Sequence, residues 1–292
     1  MDLANLQAFI AIAEHGSFSQ AGARLHITQP AVSKRLAVLE EQLNTRLFDR
    51  LGREIKLTAA GEVLLPRAYR IVNALEDSKR ALQNLHASVS GRRTRATSHH
   101  IGLRRLPPIL RQYTRSYPDV VLDIRFLDSE VAYQEVLHGR CELALVTLSP
   151  APVEPIGNVP VWNDELAFVA APDHQLSRQP AAGLADLCHW PAILPGSQTF
   201  TSSIVLELFQ RHSLQPNVHM HTNYLETIKM MVSIGLAWSV LPRPMLDDEV
   251  RELKLPHTSL SRELGYILHP DRTLSNAAQA FIQSLQQPAT EG

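Results

Sequence analysis

SFSQAGARLHITQPAVSKRLAVLEEQL, residues 17–43, reads as two short helices joined by a tight turn. Ser17 can cap the first helix, and Gln20 three residues on completes a capping box. Ala21 and Gly22 are small, so another helix can pass close by, and His26 and Ile27 make the turn. Thr28 caps the second helix, where Pro30 is tolerated because first-turn amides have no partner within the helix. Val32, Leu36, Leu39 and Leu43 recur at helical spacing and form one apolar stripe. The other face carries Gln29, Pro30, Ser33 and Lys34 at its N-terminal end: donors, an acceptor and a cation, without bulk. Such a helix suits the major groove, where the Gln29 amide can pair with a base edge and Ser33 and Lys34 can reach bases or phosphates. The competing reading is an amphipathic helix pair whose polar face is merely solvated.

Working outward, Leu3, Leu6, Phe9, Ile10 and Ala13 place a preceding helix that starts near Asp2 and ends at Gly16, making a three-helix unit. RLFDRLGREIKLT, residues 46–58, reads as a hairpin about Leu51-Gly52 that carries Arg50, Arg53 and Lys56. A basic hairpin beside a recognition helix is a wing that touches phosphates or the minor groove; otherwise it is a solvated charged turn. A long helix then runs from Thr58 to about Val89, with Pro66 in its second turn as a point of kinking or loosening. Leu64, Ala68, Ile71, Leu75, Ser78, Leu82, Leu85 and Val89 step by four and three along it, a heptad seam unstable against water. The seam could pack on its own domain, but its length and its place between two domains favour pairing with a second copy.

After Ser90-Gly91 strands and helices alternate, which predicts α/β architecture with parallel sheets. Strands are expected at Val120–Phe126, Glu142–Leu148, Glu165–Ala171, Ala192–Leu194, Val218–His221, Ala237–Leu241 and Leu264–His269. Helices are expected at Leu106–Ser116, Glu130–His138, Ser202–Arg211, Tyr224–Ile234 and Ser275–Leu285, with Pro288–Gly292 frayed. The 292 residues suffice for about two domains. A net charge of -1 does not argue against nucleic acid, since only the contact surface must be basic. No signal-peptide pattern precedes the first helix, and the stretch from Met230 to Leu241 is too short to span a bilayer, so a cytoplasmic protein is expected, with no membrane partner.

The pattern FxxIAExGSFSxAGxRLxITQPAVSKRLAxLEEQLxTRLFDRxGRxIKLTxAG, from Phe9 to Gly61, resembles the LysR-type transcriptional regulators. The resemblance extends more loosely through LPPILRQYTRSYPDVVLDI, GRCELALV, ELAFVAAPDHQLS and MMVSIGLAWSVLP to nearly the whole chain. It implies an N-terminal winged helix-turn-helix DNA-binding domain (1–58) and a long dimerising linker helix (59–90). A two-lobed effector-binding domain like the type II periplasmic binding proteins follows (91–292), with lobe I at about 91–164 and 267–292 and lobe II at about 165–266. The chain would cross between lobes near Glu165–Ala171 and Leu264–His269. Operator or promoter DNA would meet Ser17, Thr28, Gln29, Pro30, Ser33 and Lys34, with Arg50, Arg53 and Lys56 in the wing. Leu64, Ala68, Ile71, Leu75, Leu82 and Leu85 would join two copies into a homodimer, with a homotetramer built from two. A small, anionic co-inducer would modulate operator binding or activation, RNA polymerase would be a further partner, and no other cofactor is implied. Two departures stand out. Arg93 and Arg95 occupy places where the family has an apolar first effector-domain strand, so that strand is either shortened or shifted in register. Cys141-Glu142 stand where the family usually has an Asp.

Effector candidates follow from family position and side-chain chemistry. Thr97, Ser98, His99 and His100 form a polar loop; Ser129 precedes a helix; Thr147 ends a strand, the edge where open α/β sheets bind ligands. Ser197, Gln198, Thr199 and Thr201 stand at the start of the helix near Ser202. Hydroxyls and helix N-termini converging on a cleft favour a small anion or carboxylate, although Ser and Thr also cap helices as routine. His99-His100 and the pair His219 and His221 invite a metal, but no Cys or carboxylate cluster accompanies them, and no metal is expected. Cys141 and Cys188 could form a redox switch or be small core residues. No hydrolase, phosphate-loop, zincin or dinucleotide motif supports an enzyme. A solute-binding protein would lack the attached helix-turn-helix.

Overall fold

Asp2 accepts from the Ala4 amide and starts α1 (Leu3–His15); Gly16, at φ 59°, ends it. The computed structural model describes residues 1–51, 54–86, 89, 91–179 and 182–286. They fall into two units, Met1–His86 and Ala87–Gly292.

In the first unit Ser17 caps α2 (Phe18–Leu25) through the Gln20 amide at 3.4 Å; the reciprocal bond of the capping box does not form. His26, at φ 55°, turns the chain into α3 (Gln29–Leu43). A Cβ on Gly22 would lie 2.7 Å from the Ile27 carbonyl oxygen, so this turn admits no side chain there. Thr28 stands at the N-cap of α3 but makes no side-chain cap bond. Val32, Leu36 and Leu39 are buried against Leu6, Phe9 and Ile12 of α1, whereas Leu43, at the end of the stripe, is exposed. β1 (Phe48–Leu51) and β2 (Glu54–Leu57) pair antiparallel from Phe48↔Leu57 to Leu51↔Glu54. Thr58 caps α4 (Ala59–Asn84) through the Gly61 amide.

α4 passes through Pro66 as one helix and stops at Asn84, five residues short of the expected end. The expected seam divides. Leu64 and Ala68 pack into the core of their own unit, and Tyr69 donates to Glu14 of α1 at 2.6 Å. Ile71, Leu75, Leu82 and Leu85 are exposed, Leu82 at 66% and Leu85 at 80%. Val89 packs instead with the core of the second unit.

The second unit contains β3 (Gly91–Thr97), α5 (His99–Arg104), α6 (Leu106–Ser116), β4 (Val120–Phe126), α7 (Ser129–Leu137) and β5 (Ala144–Thr147). Next come β6 (Gly157–Ala170), α8 (Gln175–Arg178), α9 (Leu184–Leu187), β7 (Pro191–Leu194) and α10 (Phe200–Arg211). β8 (Asn217–His221), α11 (Leu225–Ser233), β9 (Ser239–Pro242), β10 (Arg251–Glu252), β11 (Leu260–Leu268) and α12 (Asn276–Gln286) complete it. The sheet order is β10-β6-β11-β5-β3-β4, with β9 also on β6; β7 and β8 pair separately. The sheet is mixed, not parallel. β3 runs parallel to β4 and β5, and β7 to β8, but β6 and β11 are antiparallel to each other and to their other neighbours.

β6 and β11 are the two crossings between lobes, and both begin earlier than their apolar ends suggest. Leu264–Ile267 of β11 pair with β5, while Leu260–Glu263 pair with the far part of β6. The register shifts between Leu264 and Gly265, where a Cβ would meet the Val159 carbonyl oxygen at 2.1 Å, so only glycine fits the crossing. Both faces of each lobe are covered, which is why β5 reads as a continuous apolar run. Leu143 and Leu145 face α6 and α12, and Ala144 and Val146 face α7. In the second lobe Leu166, Phe168 and Ala170 pack with Phe209 and Trp238, while Ala167 and Val169 pack with Ile228 and Val232 of α11.

β3 is not shortened: Gly91–Thr97 pair in full with Val120–Phe126. Arg95 is 3% exposed and is accommodated by chemistry of its own. Its Nη2 donates to the Ala277 carbonyl at 2.8 Å, and its guanidinium lies 4.5 Å from the Phe281 ring centre and 5.3 Å from that of Tyr113. A cation over aromatic faces with a carbonyl acceptor can be buried where an isolated one could not. Glu142, next to Cys141, accepts from the Ser275 amide and hydroxyl at the start of α12.

Candidate DNA-binding face and ligand cleft

On the first unit, the buried side of α3 fixes the helix and leaves Gln29, Pro30 and Lys34 exposed, with Ser33 half-buried. Gln29 Nε2 donates to Ser33 Oγ at 3.0 Å, one turn along, so the amide is already oriented along the helix surface. Thr28 is exposed beside them and Ser17 is half-buried at the start of α2. Lys56 is exposed on β2 and pairs with Glu54 at 2.9 Å, a surface pair that a phosphate can displace at small cost. Arg53 and the Arg50 side chain lie outside the described residues.

On the second unit a cleft open to solvent lies between the lobes where β6 and β11 cross. Ser98, His99, His100, Ser129, Thr147, Thr199 and Thr201 line it, as their sequence positions suggest. Thr97, Ser197 and Gln198 do not: Thr97 is buried at the end of β3, and Ser197 and Gln198 point to solvent before α10. The expected polar loop at 97–100 is instead the end of β3 and the start of α5. Several of the hydroxyls do cap or brace structure. Thr199 Oγ1 accepts from the Ser202 amide at the start of α10, and Ser129 Oγ accepts from the Thr147 amide at 3.0 Å.

The lining also includes Arg262, Asp128, Glu130 and Asn223, which sequence reading did not single out. Arg262 is 4% exposed; its Nε donates to Asp164 at 2.9 Å and its Nη1 to Thr201 Oγ1 at 2.7 Å. Arg262 Nη2, Ser98 Oγ and His100 Nε2 are buried without a hydrogen-bond partner among the described residues. Burial, and then the positive charges of Arg262 and Arg105, hold the His100 imidazole well below its ordinary pKa, so it is neutral at pH 7. Two hydrogen bonds span the cleft. Asn223 Nδ2 donates to Asp128 Oδ2 at 2.7 Å, and the Phe200 amide donates to Glu130 Oε1 at 2.6 Å. Burial pushes the Glu130 carboxyl pKa up, against the Phe200 amide bond that lowers it. Sequence signals for Arg262 exist only in hindsight: an Arg in an otherwise alternating strand, with an Asp on the strand it pairs.

These two halves match known domains. Residues 3–62 match the family described as bacterial regulatory helix-turn-helix protein, lysR family, and residues 86–289 match the LysR substrate binding domain. The chain belongs to the LysR family of transcriptional regulators. A "Probable RuBisCO transcriptional regulator" of Cyanidioschyzon merolae is 30% identical to it, covering 97% of each chain. An HTH-type transcriptional regulator of Azotobacter vinelandii, encoded between ibpB and leuC, is 73% identical over 108 residues, which cover 37% of this chain and 75% of that one. Among solved structures, full-length OxyR from Pseudomonas aeruginosa, as a cysteine variant, superposes with a TM-score of 0.73 over 98% of this chain and 95% of that one; at 20% identity the likeness shows the fold. The LysR-type chain is therefore a DNA-binding transcriptional regulator that carries a substrate-binding domain.

Two of the histidines that invite a metal contact other groups in this LysR-type chain. His99 packs against Phe126 and Tyr224, His221 Nδ1 lies 3.0 Å from the Pro195 carbonyl, and the described residues contain no metal-sized cluster of His, Cys, Asp or Glu. Cys141 is buried, and desolvation with the nearby Glu135 pushes its thiol up to about 11. Burial also raises the Cys188 thiol. At pH 7.5 a thiol of pKa about 11 is thiolate at roughly 0.03%. A disulfide reagent added to native protein at that pH should therefore leave Cys141 unmodified and react with it fast only after denaturation. Rapid native labelling of Cys141 would restore the switch.

Proposed function

We propose that this regulator binds operator DNA as a homodimer and that a small ligand in the inter-lobe cleft, one bearing an anionic group, modulates its action at the promoter. The observation that carries the DNA reading is α3: one side is locked in the core, and the exposed N-terminal face presents Gln29, Pro30, Ser33 and Lys34. The exposed Ile71, Leu75, Leu82 and Leu85 support the dimer, since fully burying a Leu contributes about 1.5–3 kcal/mol. Arg262 Nη2 and Ser98 Oγ, buried and unpartnered on the cleft lining, support the ligand reading. On this reading the linker ends near residue 90 and the lobes meet at β6 and β11. RNA polymerase contact and pairing of dimers into tetramers remain part of the family expectation.

Fluorescence anisotropy with the DNA upstream of the regulator's own gene tests the assignment. Lys34→Ala should flatten the dependence of log K on log salt by about one unit, the loss of one phosphate contact. Gln29→Ala should relax base preference by about 1–3 kcal/mol, the worth of one bidentate base contact. Its Ser33 bond is exchanged for the base, so wild type and mutant should share affinity for unrelated DNA. Equal discrimination by wild type and Gln29→Ala would remove Gln29 from base reading.

A further inference from the structure

We propose that the ligand of the inter-lobe cleft is a zwitterion, a small molecule with both a carboxylate and an ammonium group, of the amino-acid class. This rests on the cleft being the ligand site and adds a second pole to it. One pole is the buried donor set: Arg262 Nη2 and Ser98 Oγ both lie on the lining without a protein partner. A buried guanidinium N–H and a buried hydroxyl left open are costly unless something accepts from them, and a carboxylate does so with charge-assisted bonds. The other pole is Asp128 with Glu130, on the same lining. Each carboxylate uses one oxygen across the cleft, to Asn223 and to the Phe200 amide, and neither has an ion pair among the described residues.

Charge balance decides between ligand classes. A plain anion entering the cleft would meet two carboxylates with no cation beside them. A plain cation would meet the Arg262 guanidinium and leave its open N–H unused. A zwitterion meets complementary charge at both ends, and His100, kept neutral by burial, adds no repulsion for the ammonium.

Titration calorimetry of the full-length protein tests this with paired probes. Each common amino acid is measured beside the 2-oxo acid that lacks its ammonium and the amine that lacks its carboxylate. At least one amino acid should bind, and its 2-oxo acid and amine should each bind about tenfold or more weakly, the worth of one charge-assisted bond. Glu130→Gln keeps an oxygen for the Phe200 amide and removes the charge. It should weaken the amino acid by about tenfold while leaving the 2-oxo acid equal or tighter. Ser98→Ala should weaken both. A 2-oxo acid or other plain carboxylate that binds as tightly as any amino acid, and is indifferent to Glu130→Gln, would overturn the zwitterion and leave the cleft as an anion site. Binding indifferent to both substitutions would place the amino acid elsewhere and overturn the inference. No binding by any probe would overturn the inference.

Discussion

Leu82→Asp should turn the protein from a dimer into a monomer and weaken operator binding by about 10²-fold or more, because two half-sites are then no longer held by one particle. Leu82 is 66% exposed on α4, in line with Ile71, Leu75 and Leu85. These four side chains are exposed, whereas further up Leu64 is half-buried and Ala68 fully buried in the core of the first unit. A carboxylate placed in the middle of a Leu-rich contact would have to be desolvated without a partner, at several kcal/mol per copy. On the solvent-facing helix of the monomer the same Asp is nearly neutral, so secondary structure and thermal unfolding of the first unit should change little. Sedimentation velocity reads the outcome directly. A mutant that sediments as wild type would mean the stripe does not join two copies.

Asp164→Ala should be the most destabilising single change in the second unit. Asp164 and Arg262 are both buried on neighbouring residues of β6 and β11, 2.9 Å apart, and Arg105 stands 3.8 Å from the same carboxylate. Removing the carboxylate strands a guanidinium away from water, which costs about 3–5 kcal/mol. For a unit of this size that corresponds to a fall in Tm of roughly 10 °C. Replacing the pair together, Asp164→Leu with Arg262→Met, should recover most of the loss, because an apolar pair of similar volume carries no stranded charge. A single mutant that melts within a degree or two of wild type would mean that water reaches the crossing and solvates Arg262.

What could be read from the sequence depended on how local the signal was. The α2–α3 pair was legible because Gly22, the turn at His26 and the Val32–Leu36–Leu39 stripe all act within a few residues of one another. Seven of ten ligand-cleft candidates lie on the lining because hydroxyls at helix starts and strand ends sit at the sheet edge by construction. The crossing strands were half legible. Leu166–Ala170 and Leu264–Leu268 are apolar and stood out, but Gly157–Glu165 and Leu260–Glu263 carry Asn, Asp, Arg and Glu and read as loop. Those polar residues occur in strands because the crossing pairs with both lobes. Arg262, on the cleft lining, and Asp164, its partner behind it, are among them, so these buried charges were the least visible. β3 was obscured in the same way: Arg95 looks like a surface residue until Phe281 and Tyr113, far away in sequence, are brought over it.

The division of α4 has a similar origin. A heptad pattern records that a face is apolar, not what covers it. Ala68 is buried in the three-helix core and Leu82 is exposed, yet both occupy equivalent places in the repeat.

Selection from random duplexes by the full-length protein tests most directly whether α3 reads DNA from within a symmetric dimer. Wild type should enrich an inverted repeat whose half-sites lie about one helical turn or a multiple of it apart. The same selection with Gln29→Ala should lose base preference within each half-site while keeping the spacing. Enrichment of an isolated, non-repeated site, or of no sequence at all, would contradict the account.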